Sequence, residues 1–317
     1  MSQSTRLWAG ASSVEVEWTV GPIDVSDGNG HEVITRYSSG LATNATWATD
    51  SNCREFQTRK RDYRSQWSVH PSEAVSSNYY PVNCMIKTGS AATTLAIAVD
   101  RSEGGSSMVD GQLELMVHRR LLHDDGRGVG EALNEPGIDG KGLIVRGRHW
   151  FVAAPAASAP AAYKALHNVA LSQPRAVTAF ASLGALTPSQ WLAANKGTAS
   201  LLRAPLPSNV HLTTAHAQGS GKLLVRLAHT YEVGEDASGS ADASVDLATL
   251  FTGITITAAV DMTLPGTQPL SAVAPTTYLP ENGTAITVPR VPPAPSGGSL
   301  TITLKPQQIR TFMCTTA

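Results

Sequence analysis

The 317-residue sequence predicts an all-β chain, and three observations carry that prediction. Charged residues make up only 15%, well below the share of about a quarter in an average domain. Twenty-seven Gly and nineteen Pro punctuate the chain, which suits frequent turns better than long helices. Apolar residues recur in short runs at period two rather than at helical spacing. At 42% hydrophobic, the chain is long enough for a sizeable core and for two ordinary domains.

The first clear strand is Val14-Glu15-Val16-Glu17-Trp18-Thr19-Val20, an alternation closed by Gly21-Pro22. Leu95–Val99 is a short apolar run, and Leu113–Val117 follows Asp110-Gly111, a hairpin signal. Further strands are expected at 143–146, 149–154, 209–215, 222–229, 253–260 and 299–304. Helix is expected only twice. Ala162, Leu166 and Val169-Ala170 share one face of a helix from Ala161 to Leu171, before Pro174. A second helix follows Thr187-Pro188-Ser189 and runs to about Asn195. The Pro205-Leu206-Pro207 segment marks a domain boundary, and residues 235–244 and 292–299 read as exposed loops.

Net charge is −1 and basic residues are mostly isolated, so nucleic acid is not an expected partner. Arg59-Lys60-Arg61 and Arg119-Arg120 are too short to alter that. No run of 18 apolar residues occurs, and no membrane span is expected. The first residues carry no signal-peptide apolar region, so if the protein is secreted or lysosomal its targeting segment is expected upstream of this chain. Cys53, Cys84 and Cys314 form neither a CxxC site nor a disulfide framework. A Cys53–Cys84 bridge is one alternative; three free, half-buried thiols are the expected state.

Chemistry concentrates in residues 117–128, Val-His-Arg-Arg-Leu-Leu-His-Asp-Asp-Gly-Arg-Gly. Carboxylates and guanidiniums after a strand can build an ion-pair network or a site for sugar hydroxyls. In the plainer reading Asp124 and Asp125 cap the turn and pair with Arg119 or Arg127. A metal site from His118, His123, Asp124 and Asp125 is weaker still, since adjacency does not make ligands converge. No GxSxG, HExxH, GxxxxGK[ST] or strand-linked GxGxxG occurs. Tyr79-Tyr80 is a candidate sugar platform, though core packing is expected of at least one ring. Trp18, Trp47 and Trp67 are assigned to the core. Asn44-Ala45-Thr46 and Asn282-Gly283-Thr284 are glycosylation acceptors if the chain enters a secretory pathway.

Asp100-Arg101-Ser102-Glu103-Gly104-Gly105, the run Asp110 to Leu122 and Asp124-Asp125-Gly126-Arg127-Gly128 closely resemble the C-terminal region of glycoside hydrolase family 38, lysosomal-type α-mannosidases. Glu15 to Ile23, Asn78 to Asn83, Val145 to His149, Val233 to Asp236 and Ile309 to Phe312 extend the resemblance from about Arg6 to about Phe312. It implies a galactose-mutarotase-like β-supersandwich over residues 1–205, truncated on its N-terminal side. A smaller C-terminal β-sandwich follows over residues 206–317. Similar enzymes are zinc-dependent retaining exo-α-mannosidases whose N-terminal domain holds the zinc, the nucleophile and the acid. The chain itself is then expected to hold no metal, no cofactor and no catalytic residue, and to be inactive alone.

The resemblance implies as partners an N-terminal catalytic domain or chain and mannose-containing oligosaccharides, in a lysosome, vacuole or secreted setting. An Arg of this region is expected at the mannose pocket: Arg127 first, Arg120 second, with Asp124 or Asp125 positioning it. Cys53 stands where the family usually has Gly, Ser65 where Pro is common, and Cys84 at a usually polar or small position. A strand edge left unpaired by missing upstream strands would be a liability for solubility. Two other hypotheses stand beside this one: a freestanding carbohydrate-binding or protein-interaction module, and an unrelated hydrolase using Asp124 and Asp125.

Overall fold

The structure, a computed structural model, describes residues 1–171, 184, 186–195, 200–281, 283–287 and 300–317, excepting the side chains of Val169 and Leu171. It divides into two compact units, Met1–Gln173 and Pro174–Ala317.

The first unit runs β1 (Ser2–Arg6), β2 (Val14–Val20), β3 (His31–Ser38), β4 (Thr46–Ser51), β5 (Glu55–Lys60), β6 (Tyr80–Val82), β7 (Met85–Gly89), β8 (Thr93–Val99), β9 (Glu103–Ser106), β10 (Gln112–Arg120), β11 (Val145–Pro155) and α1 (Ala159–Leu171). Seven strands form one sheet in the order β1-β2-β11-β8-β7-β4-β5, and four form a second, β3-β10-β9-β6. Their facing sides share a core of Trp47, Val82, Ile86, Ile97, Val99, Leu113 and Leu115, which makes the pair a sandwich. Alternation decides which residues enter it. In β2, Val16, Trp18 and Val20 are buried, while Glu15 and Glu17 point away and reach Arg6 at 3.4 and 3.7 Å.

The other face of the large sheet is covered by α1. Ala159, Tyr163 and Leu166 pack on Met85, Ala96, Ala98, Trp150 and Val152. That face explains why β8 reads as an unbroken apolar run: its strand is buried on both sides.

The second unit holds α2 (Pro188–Ala194), β12 (Val210–Ala217), β13 (Lys222–His229), β14 (Ala243–Asp246), β15 (Ile256–Met262), β16 (Thr277–Tyr278), β17 (Ile286–Thr287), β18 (Thr301–Leu304) and β19 (Ile309–Thr316). A sheet β12-β13-β19-β15 faces the pair β14-β18, with Val225, Leu227, Leu247, Phe251, Ile302, Leu304 and Phe312 between them. Thr187 and Gln190 form a reciprocal capping box that starts α2.

The all-β prediction holds, with two differences in the elements. Residues 143–146 and 149–154 were expected as separate strands; 145–146 and 149–154 belong to one strand, β11, because Gly147 continues the pairing opposite Trp18, and 143–144 precede it. A Cβ at Gly147 would overlap the Trp18 ring. The expectation of three free, half-buried thiols is overturned. Cys53 and Cys84 form a disulfide with their Cα atoms 5.3 Å apart, and Cys314 is fully buried. Asp50 brings the two turns together: its carboxylate accepts from the backbone N–H of Cys53 at 2.7 Å and from those of Asn83, Cys84 and Met85 at 2.9 Å.

Candidate functional site

The polar cluster of residues 117–128 begins inside β10 and ends on an exposed loop. Leu113 and Leu115 face the core, so alternation turns Glu114 and Met116 to the outer face. A register shift between Met116 and His118 then disturbs the strand before it leaves the sheet. His118 Nε2 lies 3.2 Å from the Leu143 carbonyl oxygen. Arg119 lies 3.6 Å from Glu32, and not beside Asp124 or Asp125.

Arg120 is committed to holding backbone. Its Nε donates to Asn134 Oδ1 at 2.7 Å, and its Nη1 donates to the carbonyls of Ile23 at 3.0 Å and Lys141 at 2.7 Å. Together with Leu121 N donating to Leu133 O at 3.0 Å and Gly142 N to Pro136 O at 2.7 Å, this clasp gathers a loop of more than twenty residues at its base. Guanidinium suits the task because its fork serves several carbonyls at once.

Residues 123–130 are all exposed. The Asp124 carboxylate accepts from Gly126 N at 2.8 Å, and Asp125 accepts from Arg127 N at 2.9 Å. These are Asx turns, in which a side chain replaces a backbone acceptor and sets the chain's direction. Gly126 takes φ +70° and Gly128 φ +151°, conformations that favour glycine. Among the described residues, the Arg127 guanidinium makes no hydrogen bond or ion pair. The cluster is therefore a shaped turn presenting one free guanidinium, with its two carboxylates occupied by the turn's own amides.

Zinc does not fit these residues. His118 faces a carbonyl, and Asp124 and Asp125 accept backbone hydrogens rather than converging with His123. Elsewhere among the described residues, Cys53, Cys84 and His167 bring ligand atoms within 4.8 Å of one another, but both sulfurs are consumed by the disulfide.

The Tyr79 hydroxyl and the Tyr80 ring are both already engaged. The Tyr79 hydroxyl donates to Glu114 Oε1 at 2.6 Å, and the Tyr80 ring lies against Trp47 and under Arg59. Trp18 and Trp47 are buried, but Trp67 is 63% exposed, which corrects its assignment to the core; it sits in a turn bridged to Arg64. Asn44 is exposed at a turn with φ +57°, whereas Asn282 lies outside the described residues.

Sequence reading missed a buried network. His149, wholly inaccessible, has Nε2 3.1 Å from both Glu103 oxygens and Nδ1 2.9 Å from the Tyr37 hydroxyl. Trp18 Nε1 donates to His149 Nε2 at 3.2 Å. Burial, partly offset by the His149 hydrogen bond, raises the Glu103 pKa. The one available signal was a polar, titratable residue type in an apolar strand, His149 before Trp150-Phe151-Val152.

Comparison with known proteins places this geometry in a family. The profile described as "Glycosyl hydrolases family 38 C-terminal domain" matches residues 1–127. The "Glycosyl hydrolases family 38 C-terminal beta sandwich domain" matches residues 209–312. A lysosomal α-mannosidase of Felis catus is 42% identical over 98% of this chain and 30% of its own length. The α-mannosidase of Canavalia ensiformis is 35% identical over 99% of this chain and 32% of its own. The crystal structure of an α-mannosidase from Enterococcus faecalis V583 superposes with a TM-score of 0.55 at 15% identity, covering 96% of this chain and 27% of that one, and supports the fold. The chain thus spans about 30% of the length of the curated relatives it matches. It belongs to glycoside hydrolase family 38, of which it carries the C-terminal β region.

Proposed function

We propose that this chain is the C-terminal part of a retaining exo-α-mannosidase that removes terminal α-D-mannose from N-glycans in a lysosome or vacuole. In this reading it is inactive without an N-terminal catalytic region. The supporting observation is similarity along 98% of the chain to relatives named lysosomal α-mannosidase. Zinc, its ligands, the nucleophile and the acid belong to the other region, in keeping with the poor fit of the residues here to a metal.

Arg127 is the group we assign to the mannose pocket. Its guanidinium is exposed and uncommitted, and it sits on a backbone fixed by Asp124 and Asp125. Donating to a sugar hydroxyl or to a partner carboxylate, it orients groups and transfers no proton. Arg120 shapes the base of the same loop, so its effect on sugar binding runs through that loop's position. Asn44 is the exposed glycosylation acceptor of this reading, and Asn282 the second.

The test is co-expression with the catalytic region and assay on an aryl α-mannoside. The chain alone should give no hydrolysis and the assembled enzyme should. Arg127→Ala should lower kcat at least tenfold, about 1.4 kcal/mol of transition-state stabilisation, with thermal unfolding unchanged. Hydrolysis by the isolated chain would overturn the division of labour, and unchanged kinetics would remove Arg127 from the pocket. Tight binding of mannosides by the isolated, folded chain would instead identify a freestanding carbohydrate-binding module.

A further inference from the structure

Strands β5 and β6 are edge strands of the two sheets in the first unit, and between them the sandwich opens into a cleft of about 420 Å³. Pairing sets its chemistry. Arg59 lies directly opposite Trp47, so both side chains leave the same face of the sheet, and Arg59 reaches the mouth of the core. Its guanidinium carbon stands 4.1 Å from the centroid of Tyr80, and that of Arg64 stands 5.2 Å from the same centroid. Lys60 lies 5.3 Å from the ring of Tyr63, and Tyr63 is 53% exposed. The remaining lining residues are threonines and a serine, with no carboxylate among them.

Three cations therefore share one cleft without an acidic partner among the described residues. Arg59 Nε donates to Thr49 Oγ1 at 3.1 Å, while its terminal nitrogens meet no acceptor among the described residues. Arg64 donates to the carbonyls of Tyr63 at 2.9 Å and Ser77 at 2.7 Å, which fixes its position without neutralising it. The acid nearest in sequence, Asp62, accepts instead from Asn78 Nδ2 at 2.8 Å. Burial lowers the Arg59 pKa, and the like charge of Arg64 adds to the lowering. Cation–π contact with Tyr80 offsets part of that cost, but an aromatic face carries no negative charge to balance three cations.

We propose that this cleft is an oxyanion site that takes the phosphate group of a phosphorylated sugar or of inorganic phosphate, with Arg59 and Arg64 donating to its oxygens, Lys60 adding charge, and the exposed Tyr63 ring flanking any attached sugar. Planar guanidiniums match a tetrahedral oxyanion in both charge and donor geometry. The reading is independent of the role given to Arg127. A purely structural role for the arginines, capping the open end of the core, predicts no anion affinity at all.

Calorimetric titration of the full chain with inorganic phosphate, mannose 6-phosphate and mannose tests it. Phosphate and mannose 6-phosphate should bind and mannose should not. Tighter binding of mannose 6-phosphate marks a phosphorylated sugar as the ligand, and equal binding marks the phosphate alone. Arg59→Met with Arg64→Met keeps apolar stems over Tyr80 and should weaken phosphate binding at least tenfold. The exposed Lys60→Gln, which leaves the packing untouched, should weaken it about threefold even if the double variant fails to fold. Lys222→Gln, in the other unit, should have no effect. Absence of phosphate binding, equal affinity in the Arg59 and Arg64 variant, or mannose binding as tightly as its phosphate would overturn the proposal, as would an equal loss in Lys222→Gln.

Discussion

At Glu103, burial and a histidine act in opposite directions on one carboxyl group. Desolvation is the larger influence and raises its pKa above 4.5, while the hydrogen bond shared with His149 works against it; Asp100 adds to the rise and Arg101 opposes it. A carboxyl with a raised folded-state pKa holds its proton to higher pH in the folded chain than in the unfolded one. From pH 4.5 up to that raised value the folded state binds more protons, so stability falls as pH rises through the window. Glu103→Gln stays neutral and keeps a hydrogen-bonding group toward His149, so this slope should disappear. Thermal melts at pH 4.5, 5.5, 6.5 and 7.5 should therefore show the wild type losing midpoint temperature relative to Glu103→Gln as pH rises. Parallel curves would mean that the carboxyl's titration is not coupled to folding. An acid-favouring core network suits a protein of acidic compartments, the setting proposed from its lysosomal relatives.

At the scale of elements, strand pairing creates what no single segment contains. The Cys53–Cys84 bridge joins the β4–β5 turn to the β6–β7 turn. Pairing of β4 with β7, Ala48 with Lys87 and Thr49 with Ile86, brings those turns together, and Asp50 fixes both backbones. Cys53 itself holds φ +61°, a conformation costly for a residue with a Cβ. With a sequence separation of 31 between its ends, closing the loop removes roughly 3–4 kcal/mol of freedom from the unfolded chain. Reduction should lower urea-unfolding stability by about that amount while leaving the aromatic bands of the native near-ultraviolet dichroism unchanged, since Asp50 still holds the turns. A loss below about 1 kcal/mol would show the bridge to be structurally idle.

The same logic separates what could be read in the residues from what could not. β2 and α2 were legible because alternation and a Thr-Pro-Ser helix start are local signals. β9, Glu-Gly-Gly-Ser, was not: Gly105 is small because a Cβ there would meet Val82 and Ile86 across the core, a reason visible only after folding. The 124–128 turn was legible as polar chemistry, and Arg127 as one of two candidate arginines. That Arg120 would be consumed by the carbonyls of Ile23 and Lys141 depends on contacts 97 and 21 residues away. The Arg59, Arg64 and Tyr80 cleft draws on three separate segments, so the sequence shows its parts as unrelated cations.

At the scale of the whole molecule, the two-sheet sandwich of the first unit has four edge strands, each open in principle to pairing with another copy. An exposed edge offers unpaired N–H and C=O groups to any other strand, and apolar side chains beside it stabilise the contact. Each edge here works against that. β1 reads Ser-Gln-Ser-Thr-Arg, with its first four residues exposed. β5 begins with Glu55 and ends in Arg59-Lys60. β6 is three residues long and carries Pro81, which cannot donate to a neighbour. β3 is longer, but Glu32 and Arg36 place charges along it, paired to Arg119 at 3.6 Å and Glu114 at 2.8 Å. Polarity, charge and proline thus blunt the four edges of this unit. Removing that protection from β1 should expose the underlying tendency. Ser2→Val combined with Ser4→Val leaves the core untouched and adds two β-branched side chains to an open edge. In sedimentation velocity at about 50 µM, within the micromolar range where exposed strand edges associate, the variant should form dimers or larger species while the wild type remains monomeric. A wild type that already associates through β1, or a variant that stays monomeric, would show that polarity at this edge is not what keeps the chains apart.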